Sequence, residues 1–354
     1  MIDGQVLNEN INSIKTMITD GTATPEDIKE GKTAYVNGEK LIGSMNLAWQ
    51  MIEYYRDNNY KCDYMFYYSK IAKLLNNIKT DCFDFEFSAT EEEYDIGSFL
   101  FSGSNITKIP PVKLTPTIKS LPETIRYSQL FYNCAELEEI ELIYPVVSHQ
   151  NVMSFTFSNC SNLKKIKLSP YPFLSNNFNE TYNPDGSIKW HGDENVQYYF
   201  FNYRDSFNNC EKLETIEGDL KLGTSNSYPN VFRGCKNLKN LHFEVVYQNG
   251  HSVVYAQGDG TNVNDYGTML TVESLLSFCQ AFLMHDMSIT IGTANLNKLK
   301  NIYVKKLPKG EPDYNGYIWD KQYNAMVPFK VCESTDEGAM TIIEYMALRN
   351  NTLL

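Results

Sequence analysis

The sequence predicts an α/β repeat protein: a solenoid with a parallel sheet, preceded by a small helix-hairpin module and closed by an α/β cap. Three observations carry that prediction. First, one pattern, Phe-x-Asn/Gly-Cys-x-x-Leu-x-x-Ile/Leu, occurs four times, at residues 131–140, 157–166, 207–216 and 232–241. One such unit cannot bury its apolar face alone, so copies must stack. Second, Asn37-Gly38 sits between two short strand-like runs, the strongest local signal for a two-residue hairpin. Third, residues 271–283 repeat Leu and Phe at helical spacing behind a Thr, which reads as an amphipathic helix following the last copy.

The elements follow in order. Leu7, Ile11, Ile14 and Ile18 alternate spacings of four and three, a helical stripe of two heptads that suits docking on its own domain or a homo-oligomer contact. Thr24, Pro25, Glu26, Asp27 and Gly31 then describe one short helix. With the hairpin after it, residues 1–46 form an N-terminal attachment module in which Tyr35, Asn37 and Gly38 are the candidate attachment residues.

The solenoid is expected over residues 47–268, its repeats starting near residue 60. Degenerate copies begin at Phe66 and Phe101, each one residue shorter, with Ser69 and Ser104 where later copies carry Cys. Strands are expected at 139–142, 165–168, 215–217 and 240–244, all joining one parallel sheet. The Phe and Leu/Ile letters point inward, and each fully buried side chain contributes roughly 1.5–3 kcal/mol. Asn133, Asn159 and Asn209 are expected to hydrogen-bond the backbone of their turns, whereas Gly234 suits a positive φ. Cys134, Cys160, Cys210 and Cys235 share one repeat position and no C-x-x-C pair occurs, so they read as buried reduced thiols rather than disulfides or zinc ligands.

The repeat is interrupted. Phe131 to Phe157 is 26 residues and Phe207 to Phe232 is 25, but Phe157 to Phe207 is 50, hiding either an eroded copy or an insertion at about 169–203. That interval is turn-rich and aromatic, with Asp185-Gly186 as a hairpin tip. Insertions in solenoids map to loops on one face, often the binding face, so Tyr182, Trp190, His191, Tyr198 and Tyr199 are the candidate ligand-binding residues. Residues 269–354 form the cap, with the helix at 271–283 and a second helix at 339–348 behind a capping box, Ser334 to Glu337.

Charge and motif content exclude several functions. A formal net charge of −12 repels phosphate backbones, so nucleic acid is not an expected partner. No apolar run is long enough to span a bilayer, so no membrane insertion is expected. Residues 1–21 lack the basic and apolar regions of a signal peptide, so folding in a cytoplasm is expected. The five histidines are scattered, and no zinc-protease, nucleophile-elbow or phosphate-loop motif occurs. Glu91-Glu92-Glu93 reads as a solvated loop, and residues 259–265 as a polar loop that lacks the spacing of a calcium-binding hand. No catalytic residue, metal or cofactor is therefore assigned, and the chain is not expected to be an enzyme.

Two resemblances sharpen this reading. Residues 23–45, ATPEDIKEGKTAYVNGEKLIGSM, resemble a short module of tail-fibre, baseplate and head-fibre proteins from bacteriophages of Gram-positive hosts. The copies at Phe131, Phe157, Phe207 and Phe232 resemble BspA-type leucine-rich repeats, and the run Thr271-Val-Glu-Ser-Leu-Leu resembles the end of phage chains of that type. Together they imply a non-enzymatic virion structural protein, a component of a tail fibre, baseplate or other peripheral appendage, assembled in the bacterial host cytoplasm. Its partners would be other virion proteins and a host cell-surface glycan or protein. The alternatives are a bacterial cell-surface adhesin with the same repeats and, behind it, a polysaccharide depolymerase, which would need two carboxylates across a cleft.

Overall fold

A computed structural model describes residues 33–36, 39–42, 47–58, 64–78, 80–87, 97–116, 124–146, 150–172, 200–222, 225–227, 230–245, 255–256, 262–283, 288–307, 316–320 and 325–347. The expected helices of residues 1–31 lie outside them. Strands β1 (Thr33–Val36) and β2 (Glu39–Ile42) pair antiparallel with Val36 opposite Glu39. Helix α1 (Leu47–Asp57), which the sequence reading passed over, buries Ala48 and Ile52 and sets the Trp49 ring 5.6 Å from Phe83. Its signal was the helical spacing of Ala48, Ile52 and Tyr55.

The solenoid strands are β3 (Phe83–Phe87), β4 (Val112–Pro116), β5 (Thr124–Arg126), β6 (Glu139–Val146), β7 (Gln150–Val152), β8 (Lys165–Pro172), β9 (Phe200–Asn202), β10 (Thr215–Leu222), β11 (Ser225–Ser227), β12 (Asn240–Val245) and β13 (Tyr255–Ala256). Among the described residues they make two parallel sheets rather than the one expected. The longer sheet runs β3-β4-β6-β8-β10-β12 and the shorter runs β5-β7-β9-β11-β13. Strands of two or three residues are too short to show an alternating pattern, which is why the second sheet was not legible. The long strands also run past their expected ends, β6 to Val146 and β8 to Pro172.

The core is a ladder of rings. Phe66, Phe101, Phe131, Phe157, Phe207 and Phe232 stack in succession with centroids 5.3–6.0 Å apart and planes within 7°. Phe157 and Phe207 are direct neighbours at 5.8 Å, and β8 pairs with β10. No coil therefore intervenes in the 50-residue interval, and the eroded-copy alternative is excluded. The degenerate copies at Phe66 and Phe101 are genuine coils of the same stack.

Each core Phe is flanked by two residues in the left-handed region. They stand two before and two after the ring: Tyr64 and Tyr68, Phe99 and Gly103, Gln129 and Asn133, Phe155 and Asn159, Asp205 and Asn209, Asn230 and Gly234, with φ between 48° and 84°. The Asn residues before Cys thus meet the same backbone demand as Gly234, which corrects their expected role; an L side chain in this region costs roughly 1–2 kcal/mol, least for Asn and Asp. The reward is directional. The N–H groups of Gln129, Phe131 and Asn133 point to the carbonyls of Ser154, Thr156 and Ser158 in the next coil, at 3.1, 2.8 and 2.8 Å. A third side of each coil is hydrogen-bonded in this way without being a strand.

The cysteines extend that ladder. Sγ of Cys134, Cys160, Cys210 and Cys235 each donates to the carbonyl of the core Phe one coil back, at 2.9–3.1 Å. All four are reduced and fully buried. Burial pushes the Cys160 and Cys210 thiols well above their ordinary value of 9.0, and that of Cys235 up to about 12.

The far end of the stack is covered by helix. β14 (Asn262–Asn264) precedes α2 (Val272–Leu283), where Thr271 Oγ1 accepts the Ser274 N–H at 3.3 Å as the expected N-cap. Ser274 and Ser277, one turn apart, accept the backbone N–H groups of Leu241 and Phe243 at 3.0 and 2.8 Å. Two serine hydroxyls thus satisfy donors on the last strand of the long sheet, the edge that otherwise invites another chain. Phe278 closes the ring ladder, 6.4 Å from Phe232 and 6.1 Å from Phe243.

β15 (Ser288–Thr290) pairs parallel with β14, and α3 (Thr293–Leu299) follows. β16 (Tyr303–Lys306), β17 (Gly316–Asp320), β18 (Ala325–Cys332) and β19 (Met340–Thr341) form an antiparallel sheet in the order β17-β18-β16-β19. The last helix, α4, spans Ile342–Ala347 and starts later than expected. Its capping box is Thr341 with Glu344, not Ser334 with Glu337: Thr341 Oγ1 accepts the Glu344 N–H at 3.2 Å, and Glu344 takes the Thr341 N–H at 2.8 Å. Residues 334–338 turn instead, through Gly338 at φ 75°.

Two measurements check this architecture. Ser277→Ala leaves the Phe243 N–H buried without a partner and is expected to lower the unfolding free energy by about 1–3 kcal/mol in denaturant titration. Iodoacetamide at pH 8 should modify the part-exposed Cys82 and Cys332 while Cys160, Cys210 and Cys235 react only after unfolding, as read by peptide mass spectrometry. Because the unfolded thiols ionise first, stability should also fall as pH rises above 9.0, the ordinary thiol value.

Candidate binding surface

The long parallel sheet alternates along the first half of its strands, with a bulge in β10 between Thr215 and Asp219. Ile140 and Leu142, Ile166 and Leu168, and Ile216 and Leu220 point into the core, while Glu139 and Glu141, Lys165 and Lys167, and Glu217 and Asp219 point to solvent. This outward face is open, rigid and built from the variable letters of the repeat.

Its charges are ordered by coil. Counting from the core Phe, the coil of Phe131 presents Glu138, Glu139 and Glu141; that of Phe157 presents Lys164, Lys165 and Lys167; that of Phe207 returns to Glu214 and Glu217. Neighbouring coils therefore meet with opposite sign. Glu138 pairs with Lys164 at 2.9 Å, Glu141 with Lys167 at 2.8 Å, Glu217 with Lys165 at 2.7 Å and Glu214 with Lys239 at 3.2 Å. Lys108 meets Glu139 at 3.2 Å, Lys113 meets Asp84, and His242 Nδ1 lies 2.7 Å from Asp219 Oδ1.

Partial burial raises the Glu141 carboxyl, but hydrogen bonds from Lys167 and Ser169 outweigh it and hold the group below the ordinary 4.5. The Lys164 hydrogen bond and charge lower Glu138 likewise. A groove of about 210 Å³ lies across this pattern, with Ile109, Pro111 and Ile140 as its apolar lining and Glu139, Glu141, Lys165, Lys167 and Glu217 among the charged groups around it. Near the end of β8, Tyr171 reaches across to donate its hydroxyl to the Leu114 carbonyl at 2.5 Å, and burial lifts that phenol to about 12.

Chemically, the face offers hydrogen bonds and shape with little net field, since Lys108, Lys113, Lys164, Lys165, Lys167 and Lys239 are each paired with an acid and Asp219 alone faces a histidine, His242. The alternation of sign stands in the letters EEIE, KKIK and ETIE, at outward positions that burial leaves free to vary.

The candidate ligand residues Tyr182, Trp190, His191, Tyr198 and Tyr199 lie outside the described residues, as do Asn37 and Gly38 and the run Glu91-Glu92-Glu93. Tyr35 is in β1, opposite Lys40 of β2. Of the polar loop at 259–265, Asp265 is fully buried and spends its carboxylate on the chain itself. Its Oδ1 accepts the Gly267 and Gly292 N–H groups at 2.9 Å each, and its Oδ2 accepts from Asn295 at 2.8 Å. Asp265 is thus a structural tie between the end of the solenoid and α3. Among the described residues no cluster of His, Cys, Asp or Glu could hold a metal ion.

Comparison with protein families returns the model of the BspA type leucine rich repeat region, in six copies, over residues 76–204 and 202–264. That is more than half of the chain. The protein belongs to the BspA-type leucine-rich repeat family. No curated protein and no solved structure matches it. The matched residues contain the ring ladder from Phe101 to Phe232, the cysteine column and the whole charged face. Leucine-rich repeat proteins are typically non-enzymatic binding proteins.

Reversal of one charge tests the face. Lys167→Glu places like charges beside Glu141 and Glu217, and is expected to lower the melting temperature at low salt, less so in 1 M salt, with Glu141→Lys in the same chain restoring part of the loss. Because the Glu141 and Glu138 pKa values are depressed, their contribution is complete above about pH 4.5 and should disappear as pH falls below it, visible as a drop in melting temperature on acidification.

Proposed function

We propose that this chain is a binding component of a bacteriophage particle, part of a tail fibre, baseplate or other peripheral appendage, in which the solenoid presents its outward sheet and the aromatic interval between Pro172 and Phe200 to a host-surface glycan or protein, or to a neighbouring virion protein. The observation that carries the viral setting is the joining, in one chain, of BspA-type repeats to the run at residues 23–45 that resembles the phage module. In this reading residues 1–46 attach the chain, residues 47–268 display, and residues 269–354 close the stack. The neutral, ion-paired face suits a partner recognised by shape and hydrogen bonds, since it offers no column of one sign to steer a polyanion.

Mass spectrometry and immunogold labelling of purified phage particles test the setting. The chain is expected in particles and at their periphery; absence from particles, with recovery from the envelope of uninfected cells, would instead support the adhesin reading. Binding of the purified chain to host cells, compared with Trp190→Ala combined with Tyr199→Ala, tests whether the interval contributes, and at least a tenfold loss is expected if those rings bear on the ligand.

A further inference from the structure

We propose a second recognition site on a different side of the coils: the exposed ring of Tyr68, with Tyr67 upright beside it and Tyr64 stacked on Phe99 behind, is a stacking platform for a neutral glycan. This rests on the reading of the chain as a binding protein, not on its place in a virus particle.

The backbone is the first argument. Positions two before and two after each core Phe lie in the left-handed region, and eight of the twelve are Gly, Asn, Asp or Gln. The other four are aromatic: Tyr64 (φ 61°), Tyr68 (φ 48°) and Phe99 (φ 61°) in the first two coils, and Phe155 (φ 58°) further along the stack. Bulky aromatic side chains are poor occupants of this region, and such strain collects where function requires it. Core packing does not account for Tyr68, which is 56% exposed beside Tyr67 at 44%, whereas Tyr64 and Phe99 are half-buried.

Neighbouring residues also hold the platform in place. A Cβ on Gly103 would stand 2.6 Å from the Tyr68 ring, so this glycine lets the ring pack close to the backbone of the next coil. The Tyr68 residue stays 56% exposed there. Tyr67 stands at 89° to Tyr68 with centroids 4.7 Å apart, forming a wall to that floor. Behind the wall, Tyr64 and Phe99 stack at 4.7 Å and 9°, and Tyr67 meets Phe99 edge-on at 5.9 Å. Tyr132 and Phe155, edge to face at 6.5 Å, carry aromatic surface on to the following coils of the same side.

Ligand class follows from ring chemistry and charge. The electron-rich face of an aromatic ring attracts the partly positive C–H groups of a pyranose, while phenolic hydroxyls serve its hydroxyl groups. Nucleic-acid bases also stack on rings, but a chain of net charge −12 repels the phosphates that come with them. A neutral oligosaccharide running along the solenoid axis fits both.

The test uses the full chain and three probes, maltohexaose, laminarihexaose and chitohexaose, in saturation-transfer NMR and calorimetric titration. The intact protein is expected to bind at least one of them, Tyr68→Phe to bind within about threefold of it, and Tyr68→Gly to lose about tenfold or more. Tyr68→Gly should at the same time keep or raise the melting temperature, because glycine relieves the left-handed backbone. The proposal is overturned if none of the three probes binds, if Tyr68→Gly binds as the intact chain does, or if Tyr68→Gly lowers the melting temperature, which would make the ring a packing element. A chain absent from phage particles but passing this test would remove the viral setting and leave the platform standing.

Discussion

The structure depends on one backbone constraint, the pair of left-handed residues that brackets each core phenylalanine. Without them the run would curl into a helical turn and its N–H groups would bond within the coil. With them, alternate N–H groups are turned along the solenoid axis and meet carbonyls of the next coil. That arrangement fixes the separation of coils, which in turn lets the rings stack within 7° of parallel and brings each cysteine thiol to the carbonyl of the previous phenylalanine. Ring ladder, thiol column and parallel sheets are three consequences of one local geometry repeated.

Opposite charge on successive coils adds order to this stack. A solenoid of near-identical units is open to slipped pairing, because each coil can accept the wrong neighbour. Here a coil of glutamates seats beside a coil of lysines, and a displacement by one coil would set like charges together. Individually these exposed pairs contribute little. Their value lies in what they disfavour during assembly of the stack, and the same cancellation leaves the outward sheet with little field of its own.

Most of the solenoid was legible in the sequence because the Phe, Cys, Leu and Ile letters recur at fixed spacing and burial explains each of them. Phe66 and Phe101 were recoverable even without cysteine, since the ring position alone carries the stack. Other features were hidden for physical reasons. The second sheet is made of strands too short to alternate, and α1 buries only Ala48 and Ile52, with Trp49, Met51 and Tyr55 half-buried against the core, a thin signal in a stretch rich in tyrosine. The Ser334 capping box was a true pattern in the wrong place, because Gly338 turns the chain and Thr341 with Glu344 takes the role. The platform around Tyr68 was missed because tyrosine is abundant here, and only the backbone angle distinguishes a strained ring from an ordinary one.

The direct contact of Phe157 with Phe207 has a consequence for how such a chain can diversify. Twenty-seven residues, 173–199, connect two coils that are in direct ring contact and in register with each other. Gly218 belongs to the same junction: a side chain there would collide with the Leu168 carbonyl, and the pairing of β8 with β10 ends at the residue before it. The molecule thus contains a graft point, where a cassette of different length or composition can be exchanged while the folding problem stays solved by its neighbours.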